Sequence, residues 1–186
     1  MNAVEDGDAV ITGQPLRAVG LRATLDGAAE AADWHKKRAE SKPFYGIGVA
    51  CGTKAAGIGA SSAVLRINED GSAMVASGVV DLGTGINTLL AQTVSEELGI
   101  PREQVGVYTA DTALAPYDFG TVASRAMYCG VNAVKRAAED AKAKLLDLAA
   151  EQMEIDASDL EVADGMIRVK GQPDVGIPLA GLGAIS

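Results

Sequence analysis

The stretch 72–98, SAMVASGVVDLGTGINTLLAQTVSEEL, contains a strand, a glycine-rich turn and a helix in that order. Residues 72–80 are predicted as the strand, and 86–98 as the helix because its leucines and valine fall on one helical face. A helix N-terminus leaves backbone N–H groups unpaired and carries a partial positive charge. The glycines within 81–88 let those groups approach a bound anion closely. Residues 81–88 are therefore predicted to form an anion site, the first cradle.

A second cradle is predicted at 119–125, FGTVASR, where small residues precede the longest predicted helix, 124–153. That helix carries apolar residues at helical spacing from Met127 to Leu148. One glycine turn before a helix is a weak signal. Two of them in one small domain predict a ligand with more than one polar group, such as a dinucleotide.

The candidate cofactor-binding residues come from these two cradles. At the first cradle, we expect the backbone N–H groups of its two glycines and of Thr84 to donate to the ligand. At the second cradle, we expect hydroxyl groups and one guanidinium, because Arg125 is the only formal positive charge in either segment. The complete candidate set is Gly83, Thr84, Gly85, Asn87, Thr121, Ala123, Ser124 and Arg125.

Simpler interpretations of the same residues stay open. The two glycines of the first cradle could serve only a tight turn, and Thr121 or Ser124 could be an ordinary helix N-cap. Arg125 could be a surface residue. Asp81 and Asp111 fit turn or capping roles better than acid–base catalysis.

The composition excludes several classes of function. The chain has 186 residues and a net charge of −9, and we see no basic patch of the kind that nucleic-acid binding requires. Its one histidine and two widely separated cysteines make a protein-ligated metal site improbable, so no metal ligand is assigned. No apolar run reaches membrane-spanning length and no signal peptide is visible, so a cytoplasmic location without membrane contact is predicted.

The remaining elements predict an α+β fold: a mixed sheet with hairpins and two or three packed helices. Residues 21–41 are predicted to be helical and 44–50 to be a strand. A hairpin is predicted around the turn 68–71 and another around Asp164-Gly165. We expect a single domain, 1–186, in which an N-terminal helical or linker segment, 1–42, precedes a cofactor-cradling body, 43–186.

Four motifs in order resemble the large subunit of molybdenum hydroxylases. They are ITGQPLRAVGL at 11–21, GIGVACGT at 46–53, DGSAMVASGVVDLGTGINTLLAQTVSEELGIP at 70–101 and DTALAPYDFGTVASR at 111–125. This family includes xanthine dehydrogenase, aldehyde oxidoreductase and aerobic carbon monoxide dehydrogenase. The likeness is greatest to bacterial members that act on aromatic acyl-CoA or heterocyclic substrates, such as 4-hydroxybenzoyl-CoA reductase.

The resemblance implies a molybdopterin cofactor with molybdenum, in its cytosine dinucleotide form. It implies that 83–88 lies against the pterin and its phosphates and that 120–125 wraps the pyrophosphate. The chain would then be the cofactor-binding part of an oxidoreductase acting on an aromatic, heterocyclic, aldehyde or acyl-CoA substrate. Its partners would be the remaining large-subunit portions and the iron–sulfur and flavin subunits, with the Fe–S clusters and FAD held only in those partner chains.

Two departures from the family pattern limit what the resemblance implies. Thr84 stands where many members carry a glutamine, so one side-chain contact to the cofactor centre is in doubt. The family's first cofactor-binding region and its catalytic glutamate region are not found in these residues, so no catalytic residue is assigned. A stand-alone nucleotide-binding module and a ligand-free interaction fragment remain alternatives, although neither a third fingerprint glycine nor a P-loop lysine is present.

Overall fold

The computed structural model describes residues 3–9, 13–40, 42–52, 54 and 56–182. The chain divides into two compact units, Met1–Thr53 and Lys54–Ser186. The single domain with a body starting at residue 43 stays a prediction. Both cradles belong to the second unit.

The described residues of the first unit contain two helices, α1 (Leu21–Ala31) and α2 (Trp34–Ala39). They are separated by a turn with Asp33 in the left-handed region at φ 50°, so the helical prediction for 21–41 is confirmed in its main part. The predicted strand 44–50 is wrong, because these residues form a turn and then irregular backbone. Its two glycines weaken strand formation, and no strand pairing is formed by this segment within the described residues.

The second unit begins with a mixed sheet of β1 (Ala63–Ile67), β2 (Ala73–Ser77) and β3 (Val105–Thr109). The first two strands are antiparallel and joined by the predicted turn, with Leu65 opposite Val75. The third lies parallel to β2, beyond a crossover. A parallel pair needs such a long connection, and here the connection places the first cradle directly after β2.

Two helices cover one face of this sheet. The crossover helix α3 spans Ile86–Leu98, as predicted. A π-helical turn, Ala126–Val131, leads into α4, Asn132–Met153. The fully buried side chains between these helices and the sheet include Val75, Leu90, Val94 and Val134. Both cradles therefore lie at helix starts that are fixed by a common core.

A meander of β4 (Leu160–Ala163), β5 (Met166–Val169) and β6 (Gln172–Pro178) forms a second, antiparallel sheet. Short 3₁₀ turns at Arg102–Gln104 and Ala157–Asp159 precede β3 and β4. The predicted α+β class is confirmed, but the two predicted hairpins belong to separate three-stranded sheets among the described residues. None of the helices in the described ranges could span a bilayer, since none combines enough length with enough apolar character.

Candidate functional site

The two cradles meet at one pocket. Its volume is about 370 Å³, and the first cradle lines it with Thr84 and Ile86. The second contributes 121–125, and the helix start that follows it adds Ala126 and Met127. Five of the eight predicted site residues therefore line the same pocket: Thr84, Thr121, Ala123, Ser124 and Arg125. The sequence placed these two segments near one ligand, and the fold brings them together.

The first cradle is closed by its own carboxylate. Asp81 Oδ1 accepts hydrogen bonds from the backbone N–H groups of Gly83 at 2.9 Å, Thr84 at 2.9 Å and Gly85 at 3.2 Å. Both glycines adopt positive φ, 90° and 75°, which lets the three N–H groups converge on one oxygen. Of the turn and capping roles predicted for Asp81, the structure shows the turn role, since the N-cap of α3 is Gly85. The three donors predicted for a ligand are directed at this side chain instead.

The convergence of amides also sets the ionisation of Asp81. Partial desolvation on its own would raise the pKa of this carboxyl, but the hydrogen bonds from the amides around it outweigh that effect. The pKa of Asp81 is therefore lowered. The carboxylate is the charged form at neutral pH and acts as an internal anion in the turn.

Asn87 lies in the first turn of α3 and points to the neighbouring strand. Its Oδ1 accepts a hydrogen bond of 3.0 Å from the hydroxyl of Thr109, the last residue of β3. This contact ties the helix start to the sheet edge. Asn87 does not line the pocket that contains Thr84 and Ser124.

The hydroxyl of Thr121 connects the two cradles. It accepts a hydrogen bond from the Val80 N–H and donates one to the Val80 carbonyl, each at 2.9 Å. Val80 immediately precedes the first cradle in the chain. Thr121 is thus a cross-link between the segments. The interpretation of Thr121 as an N-cap of the following helix is wrong, since no side chain among the described residues caps that helix.

The next residues of the second cradle present main-chain donors. Ala123 and Ser124 both have left-handed backbone conformations, at φ 46° and 53°, which are unfavourable for residues with a Cβ. The Ala123 carbonyl accepts from the Gly57 N–H at 3.3 Å. Among the described residues, no acceptor is found for the N–H groups of Ala123 and Ser124. These two amides lie just before an uncapped helix start.

Arg125 lies in the interior, with a side chain that is 0% exposed. A guanidinium has five N–H donors, and each has an acceptor within the chain. The acceptors are the carbonyls of Ile58 (2.6 Å), Ala60 (2.5 Å) and Gly120 (2.7 Å), the hydroxyl of Ser61 (2.6 Å) and the carboxylate of Asp118. The surface alternative for Arg125 is wrong, and the guanidinium has no N–H left in this structure for a direct contact with a ligand.

Asp118 is the counter-ion of Arg125, and its side chain is 1% exposed. Its carboxylate also accepts from the Ser61 hydroxyl at 2.6 Å and from the Gly120 N–H at 2.7 Å. Burial alone would raise the pKa of Asp118, but the hydrogen bonds from Ser61, Arg125 and Gly120 and the positive charge of Arg125 outweigh it. The pKa of this carboxyl is therefore lowered. The pair is a fully satisfied buried ion pair.

Lys54 is a pocket residue that the sequence analysis missed. It lines the same pocket as Thr84 and Ser124 and is exposed. No ion pair with Lys54 is found in the described ranges. The available signal was weak: a single cation inside the glycine-rich run 52–59, about 30 positions before the first cradle.

Apolar side chains form part of the exposed wall of the pocket. Val122 and Met127 both line it and are 50% and 60% exposed. Leu82 in the first cradle and Phe119 in the second are also exposed. The pocket therefore combines neutral hydrogen-bond donors, one lysine and apolar contact surface, which is the usual composition of a small-molecule site.

Residues 27–182 match the model of the molybdopterin cofactor-binding domain. The chain belongs to this family. The matched range contains both cradles and the pocket between them. It confirms the resemblance to the molybdopterin-binding portion of a molybdenum hydroxylase large subunit.

Individual relatives agree with this assignment. The chain is 34% identical over 185 residues to the xanthine dehydrogenase molybdenum-binding subunit of Escherichia coli O157:H7, with 93% of this chain and 25% of that protein covered. It is 35% identical over 150 residues to the carbon monoxide dehydrogenase large chain of Afipia carboxidovorans, with 74% and 18% covered. The crystal structure of quinoline 2-oxidoreductase from Pseudomonas putida 86 superposes with a TM-score of 0.69 at 26% identity, covering 95% and 25%.

These figures also set the scale of the chain. It spans a quarter or less of the length of each of these three relatives. It is one portion of what such a large subunit contains.

Proposed function

We propose that the pocket between the two cradles holds the phosphate-bearing tail of a molybdopterin cofactor. The observation that carries this proposal is the convergence of Thr84 with 121–127 on one pocket, inside the range that matches the cofactor-binding domain. Two segments about 40 positions apart contribute neutral donors to the same space. This family match favours cofactor binding over a stand-alone nucleotide module or a ligand-free fragment.

The donor set fits a diphosphate. The N–H groups of Ala123 and Ser124 lie at a helix start, where the backbone attracts anions. The hydroxyls of Ser124 and Thr84 add donors, and Lys54 adds a positive charge at the pocket. A volume of about 370 Å³ falls in the lower range of ligand pockets.

The chain's own part in the reaction would be binding and orientation. When bound, the molybdenum centre supplies the oxygen-transfer and redox chemistry that no side chain can supply. The second cradle would fix the phosphate end of the cofactor, and the apolar side chains of Val122 and Met127 would exclude water from one side of it. No residue of the chain is assigned to proton transfer.

The finer features of the function rest on the family resemblance. We propose the cytosine dinucleotide form of the cofactor, because a pocket with several separated donors suits a diphosphate bridge. The whole assembly would oxidise or reduce an aromatic, heterocyclic, aldehyde or acyl-CoA substrate. The remaining large-subunit portions and chains carrying iron–sulfur clusters and FAD would complete it. A cytoplasmic location is part of the same proposal.

The test is retention of cofactor by the full chain. The chain is purified from a host that makes the molybdenum cofactor, and molybdenum, oxidised pterin and the nucleotide released by acid are measured. Ser124→Glu places a negative charge in the pocket and should reduce bound pterin at least about tenfold, because like charges in contact cost several kcal/mol. Ser158→Glu, on an exposed turn outside the pocket, is the control. Wild-type chain without pterin, or equal pterin in both variants, contradicts the proposal, and release of a nucleotide other than CMP corrects the cofactor form.

A further inference from the structure

The buried pair of Asp118 and Arg125 joins three segments around the second cradle. The guanidinium binds the carbonyls of Ile58 and Ala60 from one loop and the Gly120 carbonyl from another. It is itself the last residue before the π-helical turn. Both loops are thus held against the start of the helix whose preceding amides line the pocket.

Stability is an incomplete explanation for this arrangement. A buried ion pair offers little net stabilisation over apolar residues of similar size, because removing two charges from water is costly. Its advantage is geometric: a guanidinium with all five donors used can adopt one orientation only. Arg125 is therefore suited to fixing the backbone next to it.

The backbone that it fixes is conformationally unfavourable. Ala123 and Ser124 are consecutive non-glycine residues with left-handed φ, and such residues persist only when the surroundings determine them. Thr121 anchors the segment on one side through its two bonds to Val80. Arg125 anchors it on the other, through its side chain and through its N–H to the Val122 carbonyl at 2.9 Å. The two anchors enclose the residues whose N–H groups are without acceptors among the described residues.

We propose that the Asp118–Arg125 pair is a positioning device that holds the Ala123 and Ser124 amides toward the cofactor's phosphate, and that the guanidinium does not touch the phosphate. This inference rests on the proposed function, and it states which groups bind the phosphate and which hold the backbone in place. An ordinary phosphate-binding arginine would donate directly to the anion. Here the guanidinium donates to carbonyl oxygens of the chain, and neutral main-chain N–H groups bind the ligand.

The two roles predict opposite effects of Asp118→Asn. If Arg125 acts by position, losing its counter-ion loosens the cradle and weakens anion binding. If Arg125 binds the anion directly, the same variant releases the guanidinium and leaves binding equal or tighter. Ser61→Ala removes the hydroxyl that accepts from Arg125 and donates to Asp118 and gives a milder form of the same comparison in a chain that keeps both charges.

The experiment uses inorganic pyrophosphate as the probe and the full isotope-labelled chain. Backbone amide NMR follows the titration, and circular dichroism confirms that each variant is folded at the temperature used. In wild type, the Ala123 and Ser124 amides should shift with pyrophosphate. Asp118→Asn and Arg125→Lys should each weaken binding by about tenfold or more, since hydrogen bonds to charged groups are involved, and Ser61→Ala should weaken it by a smaller factor. Arg168→Lys, in an ion pair of the second sheet, should change nothing.

The results that would overturn the inference are distinct from those that overturn the proposed function. Unchanged or tighter pyrophosphate binding in folded Asp118→Asn or Ser61→Ala chain would show that position is not what Arg125 provides. Full retention of binding in Arg125→Lys would show that charge alone is enough. A wild-type chain whose Ala123 and Ser124 amides do not respond to pyrophosphate would refute the pocket itself, and the positioning role with it.

Discussion

The two cradles share a sequence pattern but use charge in opposite ways. In the first, the Asp81 carboxylate accepts from three successive backbone N–H groups. In the second, the Arg125 guanidinium donates to three backbone carbonyls. A carboxylate consumes the donors that an anion would need, whereas a guanidinium consumes acceptors and leaves the donors available. We therefore propose the second cradle as the anion site, although both were predicted from the same small-residue pattern.

The cradles also differ in their exposure to water. Residues 82–85 of the Asp81 turn are exposed, while the side chains of Asp118 and Arg125 are almost completely buried. Charge interactions are weak in water. Away from water, the attraction within an ion pair is strong, and a charge without a partner is strongly destabilising. We therefore expect unequal losses in the free energy of unfolding when Asp81 and Asp118 are replaced by the same residue.

The largest effect is expected from Asp118→Ala. It leaves the Arg125 charge buried without a partner, which typically costs about 3–5 kcal/mol of the free energy of unfolding. Asp81→Ala is the matched variant, and it should cost much less because solvent can replace the lost acceptor. Urea unfolding at neutral pH measures both. Equal losses for the two variants would remove the distinction between the cradles.

A smaller effect is expected from acid. The pKa values of Asp81 and Asp118 are both lowered from an ordinary value of 3.8, so the unfolded chain binds more protons than the folded chain in this range. The stabilisation that these groups contribute is fully present at pH values above their pKa in the unfolded chain. It is lost as the pH falls through their lower pKa values in the folded chain. We expect the urea concentration at the wild-type unfolding midpoint to decrease as the pH is lowered below about 4.

A variant of Asp81 tests how much of this acid sensitivity comes from the first cradle. The urea midpoint of Asp81→Asn should fall less steeply between pH 4 and pH 2 than that of wild type, because one of the carboxylates with a lowered pKa is absent. Asp174→Asn, an exposed aspartate in β6, should follow the wild-type curve. A curve for Asp81→Asn that coincides with wild type would show that the bonds to the Gly83–Gly85 amides do not persist in solution.

Local chemistry was sufficient to predict the elements that place the cradles. The turn 68–71 and the end of α3 at Gly99, which adopts φ 59°, follow from residue preferences that act over a few positions. The strand β6 was missed because Pro173, Pro178 and Gly176 argue against a strand. It forms at the edge of its sheet. An edge strand pairs on one side only, so a proline there can face solvent without breaking a hydrogen bond of the sheet.

The use of charge in the cradles could not be predicted in the same way. Asp81 acts on its own turn, so its role in the turn could be predicted from the sequence. Arg125 bonds to Ile58 and Ala60, which are 67 and 65 positions away, and no local rule identifies such acceptors. A lone arginine beside small residues therefore suggested a ligand contact, whereas the fold uses it internally. Lys54 was overlooked for the same reason, because its place at the pocket depends on a long-range arrangement.

The smallest expected effect concerns Lys54, and it sharpens the comparison of charges. If Arg125 is committed to carbonyl oxygens, the remaining cation that lines the pocket in the described part of the chain is this exposed lysine. Lys54→Met should weaken pyrophosphate binding by about threefold, and the effect should fade as salt is raised because an exposed charge is screened. Lys142→Met on α4, outside the pocket, is the control. Calorimetric titration at low and high salt measures both. A loss much larger than the one caused by Arg125→Lys would mean that charge, and not the placement of amides, dominates anion binding at the second cradle.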